Sequence, residues 1–287
     1  MPELPEVHAL VTDLGTRLGG RTADRLDVLS FAALKTFDPS PADLKGQIVH
    51  GVSRHGKFLD ILIGEVHVCL HLARAGWISW RESAPAAKTR PGGSGPLAAR
   101  LILDDGSGLN ITEAGTKKSL AIYLVRNPND VPGIARLGPD PLDDSFDEKH
   151  FASILAAQGR AQIKGVLRNQ STIAGIGNAY SDEILHAARM SPFKPAAMTP
   201  DETSRLFTAM QETLRAAVAR ADGLAASELK REKKTNLQVH GRKGEACPVC
   251  GDTVGQVIFA DSTLEYCPTC QTGGKPLADR VLSRLLK

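Results

Sequence analysis

Four cysteines near the end of the sequence constrain its fold more than any other feature. They form two Cys-x-x-Cys pairs with sixteen residues between them: Cys247 and Cys250, then Cys267 and Cys270. A two-residue gap lets both sulfurs of a pair reach one metal ion at about 2.3 Å, so the spacing predicts a tetrahedral four-thiolate site. Strand-like sequence between the pairs predicts a hairpin. We therefore predict a zinc-ribbon finger with one structural Zn²⁺, the alternative being a redox-active pair of dithiols.

The N-terminal part of the chain has the pattern of one helix followed by a β-rich domain. Apolar residues at helical spacing predict a helix from about Pro5 to Leu18, which Gly19 and Gly20 end. The period then changes to two. The segments predicted as strands are 25–31, 47–53, 57–64, 66–72, 76–80, 99–105, 108–112 and 120–126. Many short strands at this spacing indicate an antiparallel sandwich or barrel. The Gly/Pro-rich segment 83–96 is predicted as a loop, and Cys69 as a core residue.

A proline-rich segment at 127–141 marks the clearest boundary, and the pattern after it is helical. The predicted helices are 147–157, part of 160–170, part of 178–190, and a long helix from Thr199, with a capping box to Glu202, to about Ala221. These patterns predict a multidomain α+β protein. The predicted domains are a β-sandwich with a leading helix at 1–130, a helical domain at 131–228, a basic connector with the finger at 229–272, and an extension at 273–287.

Composition narrows the class of protein only a little. Apolar residues make up 42% and charged residues 23%, which is typical of a globular protein. The sequence has neither an apolar run near the roughly 20 residues that span a bilayer nor a secretory leader pattern, so a cytoplasmic protein is predicted, with no membrane partner. The net charge is +3, but segment 225–243 carries six Lys/Arg against two Glu. That segment is either a solvated linker or a phosphate-binding strip.

The first residues, MPELPEV, contain groups that are candidates for catalysis. Removal of Met1 would leave Pro2 with a secondary amine whose pKa lies near 7.7–8.0, so it is substantially neutral and nucleophilic at working pH. Attack on C1′ of a sugar gives an iminium ion, which acidifies the neighbouring carbon and permits elimination. Glu3 and Glu6 are candidate acid/base partners. The alternative is structural: proline favours a helix start, and a carboxylate there is stabilised by the helix dipole.

Taken together, these features resemble one known family over nearly the whole chain. PELPEV, the β-rich first domain, AGIGNAYSDEIL in the helical part and the two cysteine pairs are similar to the formamidopyrimidine-DNA glycosylase/endonuclease VIII family. SRHGKFL, LGPDPL and VHGRKGEACPVCG match further family motifs. The resemblance implies a helix-two-turns-helix element in the middle domain, and a monomeric, nucleoid-associated enzyme of base excision repair.

The resemblance also implies roles for individual residues. The enzyme would flip out and remove a damaged base from double-stranded DNA, then act as a lyase at the abasic site. Pro2 would be the nucleophile, Glu3 would protonate the sugar ring oxygen, Glu6 would assist, and Lys57 would bind a phosphate. The implied DNA contacts are Arg74, Lys117, Lys118, Lys164, Asn178 and Arg242. For Lys57 the alternative is an exposed strand-end lysine, and for the glycines before Asn178 it is a plain interhelical turn.

Three departures from the family pattern affect these expectations. The arginine at the tip of the family's finger falls at about Ser262, which predicts weaker binding at the lesion and weaker strand cleavage. Arg74 replaces the methionine that wedges into the duplex, and TEAGTKKSL (112–120) lacks the aromatic residue that the family inserts. Arg74 either stacks or reaches a base edge, or it faces solvent. The stretch before LQVHGR is short, which puts 8-oxoguanine in doubt and favours oxidised pyrimidines or an unusual lesion.

Other functions stay open at this point. One is a monofunctional glycosylase for bulky or alkylated bases, and another is a lesion-binding protein without turnover. Leu277, Val281, Leu282 and Leu285 form a helical stripe in the extension, which either packs on the protein, meets a partner or supplies phosphate contacts.

Overall fold

The structure is a computed structural model that describes residues 1–83, 96–259 and 262–278. It divides into two compact units, each with its own core. Unit 1 comprises Met1–Leu137 and Ala221–Lys230, and unit 2 comprises Gly138–Arg220 and Arg231–Lys287. The domain boundaries predicted at 130, 228 and 272 stay predictions.

Unit 1 begins with helix α1, Leu4–Leu18, and continues into two antiparallel four-stranded sheets. Its strands are β1 Ala23–Val28, β2 Val49–His55, β3 Phe58–Ile63, β4 Val66–His71, β5 Gly76–Arg81, β6 Leu97–Leu103, β7 Gly108–Glu113 and β8 Ala121–Val125. The sheet orders are β1-β6-β7-β5 and β2-β3-β4-β8. All eight predicted strands are present, and the predicted α+β class with a leading helix is confirmed. The prediction that the first strand reaches Phe31 is wrong, because the chain leaves the sheet at Val28 and turns at Ser30–Ala33.

Both sheets and α1 contribute to one core in unit 1. Leu10 and Leu14 of α1 pack with Leu59 and Ile61 of β3 and with Leu101 of β6, all of them buried. Alternation along each strand produces this arrangement, since every second side chain points to the same face. Unit 1 also contains α2, Pro132–Ala135, and 3₁₀ turns at Pro41–Leu44 and Pro128–Asp130.

Unit 2 holds most of the remaining helices and a two-stranded hairpin. The elements that follow α2 are α3 Glu148–Gln158, α4 Ile163–Arg168, α5 Asn178–Ala187, α6 Pro200–Ala221, α7 Leu229–Asn236, β9 Gly255–Ile258, β10 Thr263–Tyr266 and α8 Pro268–Thr272. The core of unit 2 includes Phe151, Leu167, Ile184 and Leu206. The four predicted helices of this part are confirmed, as is the hairpin between the cysteine pairs.

Helix α7 was not predicted, because its sequence LKREKKTN has no apolar stripe. It lies in the basic segment that was predicted from the sequence only as a connector. Ala226 and Leu229, just before and at its start, are buried in the core of unit 1. The indole N–H of Trp77 donates to the carbonyl of Ala226 at 3.1 Å. Helix α7 therefore forms because its first turn is anchored to the core of unit 1, a contact that the spacing of apolar residues in its sequence does not indicate.

Some predicted features fall outside the described part of the chain. These are most of the loop at 83–96 and, in the extension, Val281, Leu282 and Leu285. Leu277 is described, and its N–H donates to the Tyr266 hydroxyl at 2.7 Å. None of the helices in the described residues is both long and apolar enough to cross a membrane.

Candidate functional site

Helix α1 begins with the two glutamates of the N-terminal motif. Glu3 is its N-cap residue, and the Glu3 backbone N–H donates to Glu6 Oε2 at 2.8 Å as part of a capping box. Pro2 is buried, and both glutamates are only 2% exposed. The structure therefore places two buried carboxyl groups next to Pro2.

The path of α1 indicates where this motif lies within unit 1. The helix packs against β2 and β3. Its C-terminal end is tied to the start of β2, because the Gly20 N–H donates to the Val49 carbonyl at 2.9 Å. From there the helix extends back along β2, so its N-terminus lies toward the other end of that strand. His55 and the turn with Lys57 are at that end.

Lys57 occupies a two-residue turn between β2 and β3. Gly56 precedes it with φ of +54°, a conformation that glycine adopts without strain. Lys57 is only 8% exposed, unlike the exposed strand-end lysine of the alternative interpretation. Burial, and then the positive charge of Lys57, lowers the pKa of His71 to about 4. The turn therefore presents one buried cation beside a neutral imidazole.

Arg74, Lys117 and Lys118 lie on loops at the same end of the sheets. Arg74 is exposed in the loop from β4 to β5, and Lys117 and Lys118 are exposed in the loop from β7 to β8. The two loops are neighbours, since Gly76 at the start of β5 pairs with Glu113 at the end of β7. The structure thus brings three predicted DNA-binding cations to adjacent loops.

Glu113 fixes the loop that carries the two lysines, and sequence reasoning missed it. This buried carboxylate accepts the backbone N–H groups of Ser119 and Leu120 at 2.7 and 2.9 Å. The ammonium of Lys118 donates to the Glu113 carbonyl oxygen at 2.6 Å. A glutamate at a strand end gives no sequence signal for such a role.

In unit 2, a shaped turn leads from α4 to Asn178 at the start of α5. The side chain of Gln170 donates to the carbonyls of Arg168 and Ile176 at 2.8 and 2.7 Å, and it accepts the N–H of Gly175 at 3.0 Å. Gly175 has φ of +89°, which other residues rarely adopt. Gln170, which sequence reasoning missed, therefore sets the approach of the chain to Asn178.

Asn178 connects the start of α5 to the hairpin within unit 2. Its Nδ2 donates to the carbonyl of Thr263, the first residue of β10, at 2.8 Å. Its Oδ1 is buried and has no hydrogen-bond partner among the described residues. Asn178, one of the implied DNA contacts, is thereby linked to the finger.

Lys164 lies in the interior of unit 2, at 5% exposure. Its ammonium donates to the Asn178 carbonyl at 3.2 Å, to Ser181 Oγ at 2.9 Å and to Asp182 Oδ1. In this structure the Lys164 side chain positions the first turn of α5, and the DNA contact predicted for Lys164 stays a prediction.

A second cation joins the same network. His240 Nδ1 lies 2.7 Å from Asp182 Oδ2 and 2.9 Å from Glu265 Oε2. Burial disfavours the charged imidazole, but the hydrogen bonds to Asp182 and Glu265 outweigh that effect and raise the pKa of His240 to about 9. Lys164 and His240 together balance the two buried carboxylates, so this cluster ties α4, α5 and β10 together.

The segment that leads to the finger is held by one carboxylate. Glu183 accepts the backbone N–H groups of Gln238, Val239 and His240 at 2.7, 3.0 and 2.9 Å. Arg242 follows directly, half-buried, with Nη2 at 3.3 Å from the Thr235 carbonyl. Asp182, Glu183 and His240 were missed from the sequence because the contacts of Asp182 and Glu183 with the segment at 238–240 join residues 55 to 58 positions apart.

The four cysteine sulfurs converge on one point. All four Sγ atoms lie within 4.8 Å of one another, with Cys250 and Cys267 at 3.3 Å and Cys247 and Cys270 at 3.9 Å. A tetrahedron of sulfurs about 2.3 Å from a metal has edges of about 3.8 Å, so the cluster has the size that such an ion needs. His186 Nε2 lies 3.3 Å from Cys247 Sγ and borders the cluster.

Comparison with known proteins gives consistent matches along the chain. The formamidopyrimidine-DNA glycosylase N-terminal domain matches residues 1–114, and the formamidopyrimidine-DNA glycosylase H2TH domain matches residues 137–228. The formamidopyrimidine-DNA glycosylase of Symbiobacterium thermophilum is 34% identical over 94% of this chain and 89% of its own length. An uncharacterized formamidopyrimidine-DNA glycosylase-like protein of Mycobacterium tuberculosis is 55% identical over 53% of this chain and 94% of its own length.

Solved structures give the same result. The MutM (Fpg) protein of Thermus thermophilus superposes with a TM-score of 0.79 at 31% identity, covering 96% of this chain and 100% of that protein. The Lactococcus lactis Fpg in complex with DNA containing an abasic site has a TM-score of 0.82 at 25% identity, covering 94% of this chain and 99% of that protein.

Proposed function

The chain belongs to the formamidopyrimidine-DNA glycosylase family and is a DNA glycosylase of DNA repair, and we propose that it also cleaves the strand at the abasic site through an imine on Pro2. One observation carries the proposal: Pro2 is buried at the start of α1 beside the carboxyl groups of Glu3 and Glu6. A nucleophile with an adjacent acid/base group is the arrangement that covalent catalysis requires.

The proposed reaction starts once Met1 is removed and the Pro2 nitrogen is a free secondary amine. The nitrogen attacks C1′ of the flipped nucleotide, and the bond from C1′ to the damaged base breaks, with the bonding electrons leaving on the base, which takes a proton from water. The Glu6 carboxylate takes the proton that the Pro2 nitrogen loses. Glu3 donates a proton to the sugar ring oxygen as the C1′–O bond opens, which leaves an iminium ion between Pro2 and C1′. The Glu3 carboxylate then takes a proton from C2′, a C2′–C3′ double bond forms as the 3′ phosphate leaves, and water hydrolyses the imine to regenerate Pro2.

Glu6 and Lys57 have supporting roles in this scheme. Glu6 accepts the backbone N–H of Glu3 and so fixes the residue that moves the proton. Lys57 is a buried cation on a rigid turn, where a phosphate next to the flipped nucleotide would be attracted.

The proposed partner is double-stranded DNA that contains a lesion or an abasic site. The exposed cations Arg74, Lys117 and Lys118 on adjacent loops support a surface that neutralises phosphates. The base must leave the stack to reach Pro2, which costs a few kcal/mol and favours damaged pairs.

We propose that the four cysteines hold one structural zinc ion. Their number, their thiolate chemistry and the distances between their sulfurs fit Zn²⁺. The ion would supply folding energy to the finger, because four protein ligands leave no open position for chemistry.

Two features point to the substrate class. Ser262 lies where the hairpin turns, since its carbonyl accepts the Phe259 N–H at 2.8 Å. A serine cannot form the two charge-assisted hydrogen bonds that an arginine guanidinium makes with a phosphate. The stretch before Gln238 is a short helix, α7, in place of a longer segment. We therefore propose oxidised pyrimidines or an unusual lesion, rather than 8-oxoguanine, as the substrate.

Borohydride trapping tests the proposed nucleophile. The protein is incubated with a duplex carrying an abasic site and reduced with borohydride, and the adduct is mapped by mass spectrometry. We expect a covalent complex whose modified peptide begins at Pro2. The absence of an adduct, with Met1 shown to be removed and base release undiminished, would overturn the imine mechanism.

A lesion panel separates the remaining functions. Base release and strand nicking are measured in parallel on duplexes with oxidised pyrimidines, 8-oxoguanine and alkylated bases. The proposal expects both products from the same lesion. Base release without nicking would indicate a monofunctional glycosylase, and lesion-selective binding with neither product would indicate a non-catalytic protein.

A further inference from the structure

A flipped nucleotide leaves a gap in the duplex, and the two positions expected to fill it are altered in this chain. Arg74 stands where a methionine is expected, and the loop with Lys117 and Lys118 has no aromatic residue. Elsewhere in unit 1, however, Phe31 and Phe37 are 71% and 93% exposed. They are the two most exposed large apolar side chains in residues 1–83, 96–259 and 262–278.

Phe31 sits on a turn that is fixed to both sheets. The Ala33 N–H closes the turn on the Ser30 carbonyl at 3.0 Å. The Ser30 N–H donates to Ala98 at the start of β6 at 2.9 Å, and the Ile122 N–H at the start of β8 donates to Ala33 at 2.8 Å. Because the backbone is held on both sides of Phe31, the ring is presented from a rigid support.

This turn lies at the end of unit 1 that carries the exposed cations. The start of β8 follows directly after the loop with Lys117 and Lys118. The start of β6 adjoins Glu113, the carboxylate that fixes that loop, because the Glu113 N–H donates to the Pro96 carbonyl at 2.6 Å. The end of the sheets that presents the exposed Phe31 ring is thus also the end that carries Lys117 and Lys118.

We propose that Phe31 stacks on the base pairs exposed when the nucleotide is flipped, and so supplies the aromatic wedge that the loop of Lys117 and Lys118 lacks. The proposal rests on the proposed function, since it needs a flipped nucleotide. A single exposed apolar side chain is ordinary on a protein surface. The position of this ring at the end of the sheets that carries Lys117 and Lys118 points to DNA, because phosphates pair with lysines while the base stack offers the ring an apolar face.

Phe37 provides a matched comparison on the same segment. It lies toward the opposite end of β8, where the Leu124 N–H donates to Thr36 Oγ1 at 2.8 Å and Arg126 pairs with Asp38 at 3.5 Å. Phe37 is even more exposed than Phe31, but it lies beside the end of β8 that points away from the loop with Lys117 and Lys118. Loss of Phe37 therefore controls for the general effect of removing an exposed ring.

Binding to a stable abasic analogue tests the proposal without turnover. The full chain and the variants Phe31→Ala, Phe31→Trp and Phe37→Ala are titrated with a duplex that carries one tetrahydrofuran site and with the same duplex undamaged. We expect Phe31→Ala to bind the tetrahydrofuran duplex about ten-fold or more weakly, in line with the effect of removing one stacked ring. Phe31→Trp and Phe37→Ala should bind it as the unmodified chain does, and the undamaged duplex should show no difference.

A second measurement reports on stacking at the bases beside the tetrahydrofuran site. A 2-aminopurine placed next to the tetrahydrofuran site should change fluorescence on binding of the unmodified chain and of Phe37→Ala, but much less with Phe31→Ala at saturating protein. Equal binding and equal fluorescence for Phe31→Ala would overturn the wedge, as would an equal loss for Phe37→Ala. If the unmodified chain did not prefer the tetrahydrofuran duplex at all, the proposed function itself would fail, which is a separate result.

Discussion

At the scale of single residues, Glu6 combines a structural and a chemical role that two substitutions can separate. Glu6→Ala removes the acceptor for the buried Glu3 N–H, and we expect a loss of about 1–2 kcal/mol in the free energy of unfolding. Glu6→Gln keeps an acceptor in the same place, so its stability should stay within about 0.5 kcal/mol. Base release by Glu6→Gln should nevertheless fall, by about ten-fold or more, because the amide cannot accept a proton.

The measurements are thermal unfolding and single-turnover base release on the preferred lesion. Glu65→Gln is the control, since Glu65 is exposed in the turn from β3 to β4, at the opposite end of the sheet from Lys57. Full activity in Glu6→Gln would show that Glu6 only positions Glu3.

Sequence reasoning reached the residues whose neighbours are close along the chain. Pro2, Glu3 and Glu6 form a local motif, and Gly56 with Lys57 forms a local turn. Gln170 and Glu113 also form hydrogen bonds with backbone groups no more than seven residues away. Many polar side chains in loops and at helix ends do the same, so the sequence does not distinguish these two residues from the others. His240 was out of reach, because Asp182 is 58 residues away in sequence.

At the scale of elements, the spacing of apolar residues predicted the strands of unit 1. It did not predict helix α7, which is held by contacts of its first turn with residues distant in sequence. Strands such as β3 and β4 place alternate residues in the core, for example Leu59, Ile61 and Ile63 of β3, and the apolar period of the sequence records that alternation. Helix α7 contributes only Leu229 to the buried residues of the structure, so the contacts of its first turn are invisible in the sequence. The first strand was extended to Phe31 for a related reason: its apolar character suits a strand, but the hydrogen bonds of Ser30 and Ala33 form a turn.

The contact between α5 and β10 through His240 should make the stability of unit 2 depend on pH. The pKa of His240 is about 9 in the folded protein, above the unfolded value near 6.5, so the folded state binds the proton more tightly. The stabilisation is therefore complete below about pH 6.5 and is lost as the pH rises through about 9. With 24% of the side chain exposed, we expect about 2–3 kcal/mol in total.

Urea unfolding of the zinc-loaded protein at several pH values from 7 to 10, followed by far-ultraviolet circular dichroism, measures this effect. His240→Gln should be less stable at pH 7 and should lose less stability than the unmodified chain as the pH rises. His50→Gln, which alters an exposed histidine of unit 1, should follow the unmodified chain. Parallel pH profiles for His240→Gln and the unmodified chain would contradict the assignment.

At the scale of the whole molecule, the two units depend on the cysteine cluster to different degrees. Unit 1 has a core of its own, built from α1 and both sheets. The finger has only small buried clusters, one of which consists of Val239, Val254, Cys247 and Cys267 with Cys270 packed beside them. Half of what would be its core therefore consists of metal ligands, so removal of the ion should unfold the finger and leave unit 1 intact.

Hydrogen exchange with and without a chelator checks this expectation. Amides in 238–259 and 262–278 should lose protection, whereas those in 1–83 and 96–137 should keep it. Both tryptophans, Trp77 and Trp80, lie on β5 of unit 1, so tryptophan fluorescence should not change. Affinity for abasic-site DNA should fall by about ten-fold or more, because Asn178 loses its contact with Thr263.

Matched cysteine variants identify the ion as the cause of that loss. Cys250→Ala should purify with less than one zinc per chain and should reproduce the exchange pattern of the chelated protein. Cys69→Ala removes the remaining cysteine, which is buried on β4 of unit 1, and it should keep full zinc and full DNA affinity. Loss of protection in 1–83 on chelation would show that the two units are not independent, and unchanged protection in 238–278 would show that the finger folds without metal.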